Sequence, residues 1–132
     1  MNNHQTVNMA LGSGGRMSRD FVKNEILPMF KSPALQGLPD AAALPGGLLM
    51  TTDGHVVSPV EFPGGDIGKL AVCGSCNDIA VSGGEPLWMS LSLVMEEGLP
   101  LELLRKILAS ASSAAALCGV QIVTGDTKVV SR

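Results

Sequence analysis

The alternation of apolar and polar positions is clearest between Pro86 and Glu96. There Leu87, Met89, Leu91, Leu93 and Met95 alternate with Trp88, Ser90, Ser92, Val94 and Glu96. Successive side chains of a strand point to opposite faces, so this period of two predicts a β-strand with one apolar row. After the Gly98-Leu99-Pro100 break the period changes. Leu101, Leu104, Leu108, Ala111, Ala115 and Cys118 step 3-4-3-4-3 along an amphipathic helix, and Gly119 stands where a terminating glycine belongs. Upstream, Asp66 is placed to cap another helix. It carries Ile67, Leu70, Ala71, Gly74, Ser75, Asp78 and Ile79 on one face and closes at Gly83 and Gly84. That face is small and apolar except for Asp78.

The remaining segments carry weaker signals. Gly12-Ser13-Gly14-Gly15 precedes a helical stretch from about Arg16 to Leu27, with Met17, Phe21 and Leu27 as its buried stripe and Pro28 as its end. Residues 32–47 hold Pro33, Gly37, Pro39, Pro45, Gly46 and Gly47, the composition of an irregular loop, and carry Asp40. Leu48 to Val60 reads as extended, with Asp53-Gly54 either turning a hairpin or bulging one long strand. Val120 to Thr124 predicts a short strand leading into a polar loop, Gly125-Asp126-Thr127-Lys128. Helices and strands interleave, which leaves an α/β or an α+β sandwich open.

A chain of 132 residues is long enough to bury a core without disulfide staples and is expected to form one domain. The net charge of −3 and an aromatic content of 3% exclude the basic footprint and stacking platform of a nucleic-acid binder. Three cysteines, Cys73, Cys76 and Cys118, form no disulfide framework and suit a reducing cytoplasm. The polar start, Met1 to Asn8, lacks the order of a signal peptide, and no apolar run reaches the ~18 residues of a membrane span.

Candidate chemistry gathers at four aspartates in loops or at element ends: Asp40, Asp53, Asp78 and Asp126. Carboxylates are the hard oxygen ligands that Mg²⁺ shares with phosphate, and Thr52 and Thr127 flank two of them. Loop aspartates also cap helices and make turns. Asp78 stands apart, because an unpaired carboxylate on a small apolar helix face is costly. The glycine clusters match neither standard phosphate template: Met17 replaces the third glycine of a dinucleotide fingerprint, and Pro63 and Leu70 break a Walker loop ending at Gly68-Lys69. Backbone N–H groups with Lys69 or Lys128 nearby suit an anion, so the residues alone leave open a nucleotide site or plain turns. Cys73-x-x-Cys76 lacks a second ligand pair and lies inside a helix, which favours buried structural thiols over zinc or redox chemistry. His4 falls in a terminus expected to fray, and His55 reads as a strand-surface histidine, with contact to a ligand beside the aspartates as the alternative.

The strings Gly12-Ser13-Gly14-Gly15, Thr51-Thr52-Asp53, Phe62-Pro63-Gly64-Gly65-Asp66-Ile67-Gly68-Lys69, Asn77-Asp78, Glu96-Glu97-Gly98 and Gly125-Asp126-Thr127-Lys128-Val129-Val130 together resemble the HypE family of hydrogenase maturation proteins. Thr-Thr-Asp, Asn-Asp and Gly-Asp-Thr are similar to the wider superfamily of aminoimidazole ribonucleotide synthetase, thiamine monophosphate kinase and selenophosphate synthetase. The resemblance implies an α+β fold, a mixed sheet packed against helices. It makes residues 1–132 an N-terminal ATP-binding and dimerisation domain, with a C-terminal domain and its carrier cysteine outside this chain.

The implied activity is a carbamoyl dehydratase of the lyase type. It converts a cysteine-bound thiocarbamate to thiocyanate with ATP and Mg²⁺, for the cyanide ligands of a nickel–iron hydrogenase. The implied partners are a second copy of the chain, a carbamoyltransferase and an iron-carrying scaffold. On the same resemblance Asp40, Asp53, Asp78 and Asp126 are metal carboxylates, and Asp78 and Lys128 are catalytic. Gly12, Ser13, Gly14, Gly15, Lys69, Asn77 and Thr127 are nucleotide contacts. The alternatives are another ATP-dependent kinase or synthetase of the superfamily, or a non-catalytic docking fragment.

Overall fold

The computed structural model describes residues 6–131, so His4 lies outside the described residues. The chain divides into two compact units, residues 1–39 and 40–132.

In the first unit a single turn at Met9–Leu11 is capped by the Asn8 side chain, which accepts from the Ala10 N–H at 3.0 Å. Helix α1 (Gly15–Phe21) follows and continues through a wide turn at Val22–Ile26 into a tight one at Leu27–Met29. Pro28 therefore does not stop the helical path. It sits in the first turn of the last piece, where its missing N–H has no partner to lose. The expected stripe is not buried: Met17 is exposed, and Phe21 and Leu27 are half-buried. A unit this short has too little surface to hide a core of its own.

The second unit opens with a hairpin, β1 (Ala42–Leu44) antiparallel to β2 (Leu48–Met50), turned by Pro45-Gly46-Gly47. The reading of 32–47 as irregular loop missed β1, because an alanine run carries no strand preference. Both glycines of the turn have positive φ, 82° and 76°, a conformation that other residues resist. The extended segment expected over 48–60 exists only as β2. Asp53-Gly54 makes neither a hairpin nor a bulge, because residues 51–57 leave the strand and lie irregularly. A short hairpin, β3 (Glu61–Phe62) with β4 (Gly65–Asp66), then leads into helix α2 (Ile67–Val81). Asp66 caps it as expected, accepting from the Lys69 N–H at 2.9 Å.

Strand β5 (Trp88–Glu96) and helix α3 (Leu101–Cys118) match the two strongest sequence patterns, and Gly119 closes α3 in the left-handed conformation at φ 69°. Strand β6 (Gln121–Val130) pairs parallel to β5 from Trp88↔Gln121 to Glu96↔Val130, with a bulge after Met89. The polar loop expected at 125–128 is thus strand throughout. Gly125 sits there because a Cβ would run into the Leu91 carbonyl oxygen; it is a close-approach glycine, not a turn glycine.

The core lies between α2 and α3: Val72, Cys76, Ala111, Ala114, Ala115 and Val120, with Cys73, Met89 and Cys118 against its edge. Of the stripe residues expected on the two helices, only Ala111, Ala115 and Cys118 belong to it or its edge. Leu101 is 64% exposed and Leu70 lies at the surface. In α2 the fully buried positions are Gly68, Val72 and Cys76, on a face rotated away from the expected one. The shift has a local cause. A Cβ at Gly68 would collide with the Ile107 carbonyl, so glycine there lets α3 approach that side of α2. The chain is α+β, with helices and small sheets.

Candidate functional site

The face of α2 expected to be core instead meets the irregular segment that follows β2. Asp78, half-buried in the last turns of α2, accepts a hydrogen bond from the Thr51 hydroxyl at 3.1 Å. The same hydroxyl lies 2.8 Å from the Asp40 carbonyl oxygen, so Thr51 ties three parts of the unit together. One helical turn back, Gly74 lies beneath His55, whose Nε2 is 3.1 Å from Oδ2 of Asp53. Thr51, Asp53 and His55 alternate along the chain, and all three meet α2 on this side.

The structure therefore gathers Asp78, Asp53 and the backbone of Asp40 around one helix face. The reading of His55 as a strand-surface histidine is overturned: it lies on no strand and its side chain is only 14% exposed. The flanking hydroxyl that engages Asp78 is that of Thr51; Thr52 is exposed. The signal for both was present as the i, i+2, i+4 spacing of Thr51, Asp53 and His55. It was hidden because the segment looked like part of a longer strand.

The oxygen donors on this face are two carboxylates, a hydroxyl and a carbonyl, the donor class that suits Mg²⁺. Among the described residues no cationic side chain pairs with Asp78, whose partner is the neutral Thr51 hydroxyl. Among them, too, no three His, Cys, Asp or Glu side chains form a closed metal cage. A Mg²⁺ ion that takes one or two carboxylates and completes its shell with phosphate and water needs no cage. The donor set fits such an ion.

The other candidates lie elsewhere. Asp126 and Lys128 are neighbours on one side of the exposed strand β6, with Nζ of Lys128 2.6 Å from each Asp126 oxygen, and Thr127 points to the opposite side. Asn77 is exposed beside Asp78 on α2. Lys69 donates to the Gly64 carbonyl at 3.1 Å, beside a hollow of about 150 Å³ edged by Phe62 and Cys73. That hollow is smaller than the several hundred Å³ that ligand pockets usually offer. Gly12, Ser13, Gly14 and Gly15 belong to the first unit. There Gly14 and Gly15 open α1 with positive φ and the Ser13 hydroxyl donates to the Met9 carbonyl at 2.5 Å.

Of the Cys73-x-x-Cys76 pair expected to be buried, Cys76 is, while Cys73 is half-buried at the core edge. All three are free, and Cys76 is buried in the α2–α3 core. Burial pushes its pKa from the ordinary 9.0 to about 11, helped by the charge and hydrogen bond of Cys118 and by the charge of Cys73. At neutral pH it is a protonated filler, not a nucleophile.

A family model described as AIR synthase related protein, N-terminal domain, matches residues 39–132, which is the second unit with one residue added. The carbamoyl dehydratase HypE of Rhodobacter capsulatus is 50% identical over 133 residues, covering 97% of this chain and 39% of that protein. The carbamoyl dehydratase HypE of Escherichia coli is 42% identical over 140 residues, covering 100% and 41%. Among solved structures, a HypE–HypF complex superposes with a TM-score of 0.78 at 44% identity, over 90% of this chain and 37% of that one. A HypE structure in complex with ATP gives a TM-score of 0.60 at 43% identity, over 96% and 38%. The chain spans about two fifths of the length of the curated relatives it matches. Among the described residues no helix is long and apolar enough to cross a membrane.

Proposed function

The chain belongs to the AIR synthase related family, whose N-terminal domain it carries, and from that premise we propose that it is the ATP-binding part of a carbamoyl dehydratase in hydrogenase maturation. The observation that carries this reading is Asp78: a half-buried carboxylate with a hydroxyl partner and, among the described residues, no cation, beside Asp53 on one helix face. A charge so placed calls for a positive partner, and Mg²⁺ bearing phosphate supplies one. The ATP complex of a relative supports the choice of nucleotide.

The reaction we infer joins ATP to a cysteine-bound thiocarbamate, R–S–C(=O)–NH₂. The carbamoyl oxygen takes the γ-phosphoryl group and ADP leaves. Loss of that oxygen as phosphate, with both N–H protons, leaves the thiocyanate R–S–C≡N. Mg²⁺, when bound, neutralises the phosphate charge. In this chain Asp53 and Asp78 would hold the ion, with Asp40 meeting the same face through its carbonyl; Asp126 lies apart on β6, paired with Lys128. The nucleotide contacts that the family resemblance implies would be Lys69, Asn77 and Thr127 in the second unit and, taken separately, the N–H groups of Gly12–Gly15 with the Ser13 hydroxyl in the first. Lys128, whose ammonium now rests on Asp126, stabilises charge on the phosphorylated oxygen. The carrier cysteine belongs to a C-terminal domain outside the chain; the three thiols present are core or core-edge residues.

Asp78→Asn tests the reading, because it keeps size and shape while removing the charge. Mg²⁺-dependent ATP binding, followed by titration calorimetry, falls at least tenfold, and the fold is retained. Unchanged Mg²⁺-ATP affinity defeats the assignment.

The reading extends to partners and place. A carbamoyltransferase and an iron-carrying scaffold supply and receive the group, in a cytoplasmic setting; a relative's complex with HypF supports a maturation partner. A second copy of the chain pairs at the β5–β6 sheet, where every residue of β6 is exposed and Trp88, Val94, Val123 and Val129 present apolar surface. Sedimentation at tens of micromolar, roughly the range of weak dimers, is expected to show a dimer; a folded monomer there removes this part.

A further inference from the structure

His55 is the only histidine among the described residues, and it occupies an unusual seat. It belongs to an irregular segment, yet its side chain is 14% exposed. The floor beneath it is the backbone of α2 at Gly74. A Cβ at that position would lie 2.5 Å from Nε2 and 3.0 Å from Cε1 of the imidazole, so the ring lies on the helix only because residue 74 has no side chain. The same ring reaches Oδ2 of Asp53 at 3.1 Å. Four residues along α2, on the same side, Asp78 is held by Thr51. The segment 51–55 is thus fastened to α2 at both ends, with Asp53 between the fastenings. Asp53 keeps 40% of its side chain exposed, so its carboxylate is restrained on one oxygen and open to solvent.

We infer that His55, seated on Gly74, is a positioning residue that holds the Asp53 carboxylate ready for a divalent cation on the Asp78 side of α2. The inference rests on the Mg²⁺-ATP reading above. A free aspartate side chain must lose rotamer freedom each time it binds a metal; the imidazole Nε2, 3.1 Å from Oδ2, restrains it beforehand. Partners of this kind change metal affinity by roughly 10–100-fold when removed. Gly74 is the second half of the device, because any side chain there displaces the ring.

The test uses the 132-residue chain with His55→Leu, His55→Gln, Gly74→Ala and the Gly74→Ala/His55→Leu pair. Binding of Mg²⁺ in the presence of ATP is measured by calorimetry, with Mn²⁺ resonance as a second probe, alongside thermal melts without ligand. His55→Leu is expected to weaken the metal by roughly 10–100-fold, whereas His55→Gln, which keeps an N–H at a similar reach, stays close to the parent chain. Gly74→Ala is expected to weaken the metal as His55→Leu does. It lowers the melting temperature when His55 is present and raises it in the Leu background, where the clash is gone and alanine is the better helix former. Should His55→Leu fail to fold, Gly74→Ala carries the test with the imidazole retained. Parent-like metal affinity in both His55→Leu and Gly74→Ala overturns the positioning role while leaving the function reading intact. A parent chain that binds no Mg²⁺ with ATP overturns both.

Discussion

Gly68 and Gly74 lie six residues apart on the same helix, and neither has room for a Cβ, yet the two close approaches differ in kind. Gly68 faces the Ile107 carbonyl of α3, a backbone atom in a dry interface with Val72 and Cys76. Gly74 faces the His55 imidazole, a side chain in a polar layer with Asp53 and Asp78. With 3.6 residues per turn the two faces stand roughly 120° apart around the helix axis. Small residues on the first let two helices pack. On the second they seat a polar segment over the helix. The contrast teaches that a stripe of small residues defines close approach, and that what approaches decides whether it is core or site.

The sharpest way to break the comparison is Gly68→Ala. Its new methyl meets backbone on a neighbouring helix, which has no rotamer to yield, so α2 and α3 must separate. A loss of about 3 kcal/mol is expected in chemical denaturation, at the upper end of ordinary overpacking. No second substitution of a side chain relieves it, whereas Gly74→Ala is relieved by truncating His55. A mild Gly68→Ala phenotype would make the two faces alike.

The dry face is sharpened by pH. The Cys76 thiol has its pKa raised in the folded chain from 9.0 to about 11. Below about pH 9 both folded and unfolded chains carry the proton, and the stability is fully present. As pH rises from 9 to 11 the unfolded chain releases its proton first, so stability falls through that window. The melting temperature of the parent chain should drop more steeply there than that of Cys76→Ala. Parallel curves would place Cys76 outside the dry core.

The smallest effect belongs to the polar face. Without ligand, Asp78→Asn removes a charge that has no cationic partner among the described residues and keeps a group able to bond Thr51. It should raise the ligand-free stability by no more than ~1 kcal/mol. A marked loss would mean that Asp78 serves the fold, not a ligand.

The strongest local patterns carried over to the structure almost unchanged. The period of two over β5, the 3-4 steps of α3, the Asp66 cap and the left-handed Gly119 are properties of a few neighbouring residues, and neighbouring residues suffice to predict them. The unbroken Asp-carrying strings also pointed to the family. Other features depended on contacts between distant parts of the chain. α2 is small or apolar on most sides, so its periodicity does not choose a face; α3 chooses one through Gly68, and residues 51–55 take the other. Likewise Gly125-Asp126 has the composition of a turn, and only pairing with β5 keeps it extended. Local sequence determined which elements form and where they end, because capping and side-chain period are local energies. Tertiary structure alone decided which glycine is a spacer, which histidine is seated and which carboxylate meets a neutral hydroxyl, because each depends on what another segment brings to within a few ångströms.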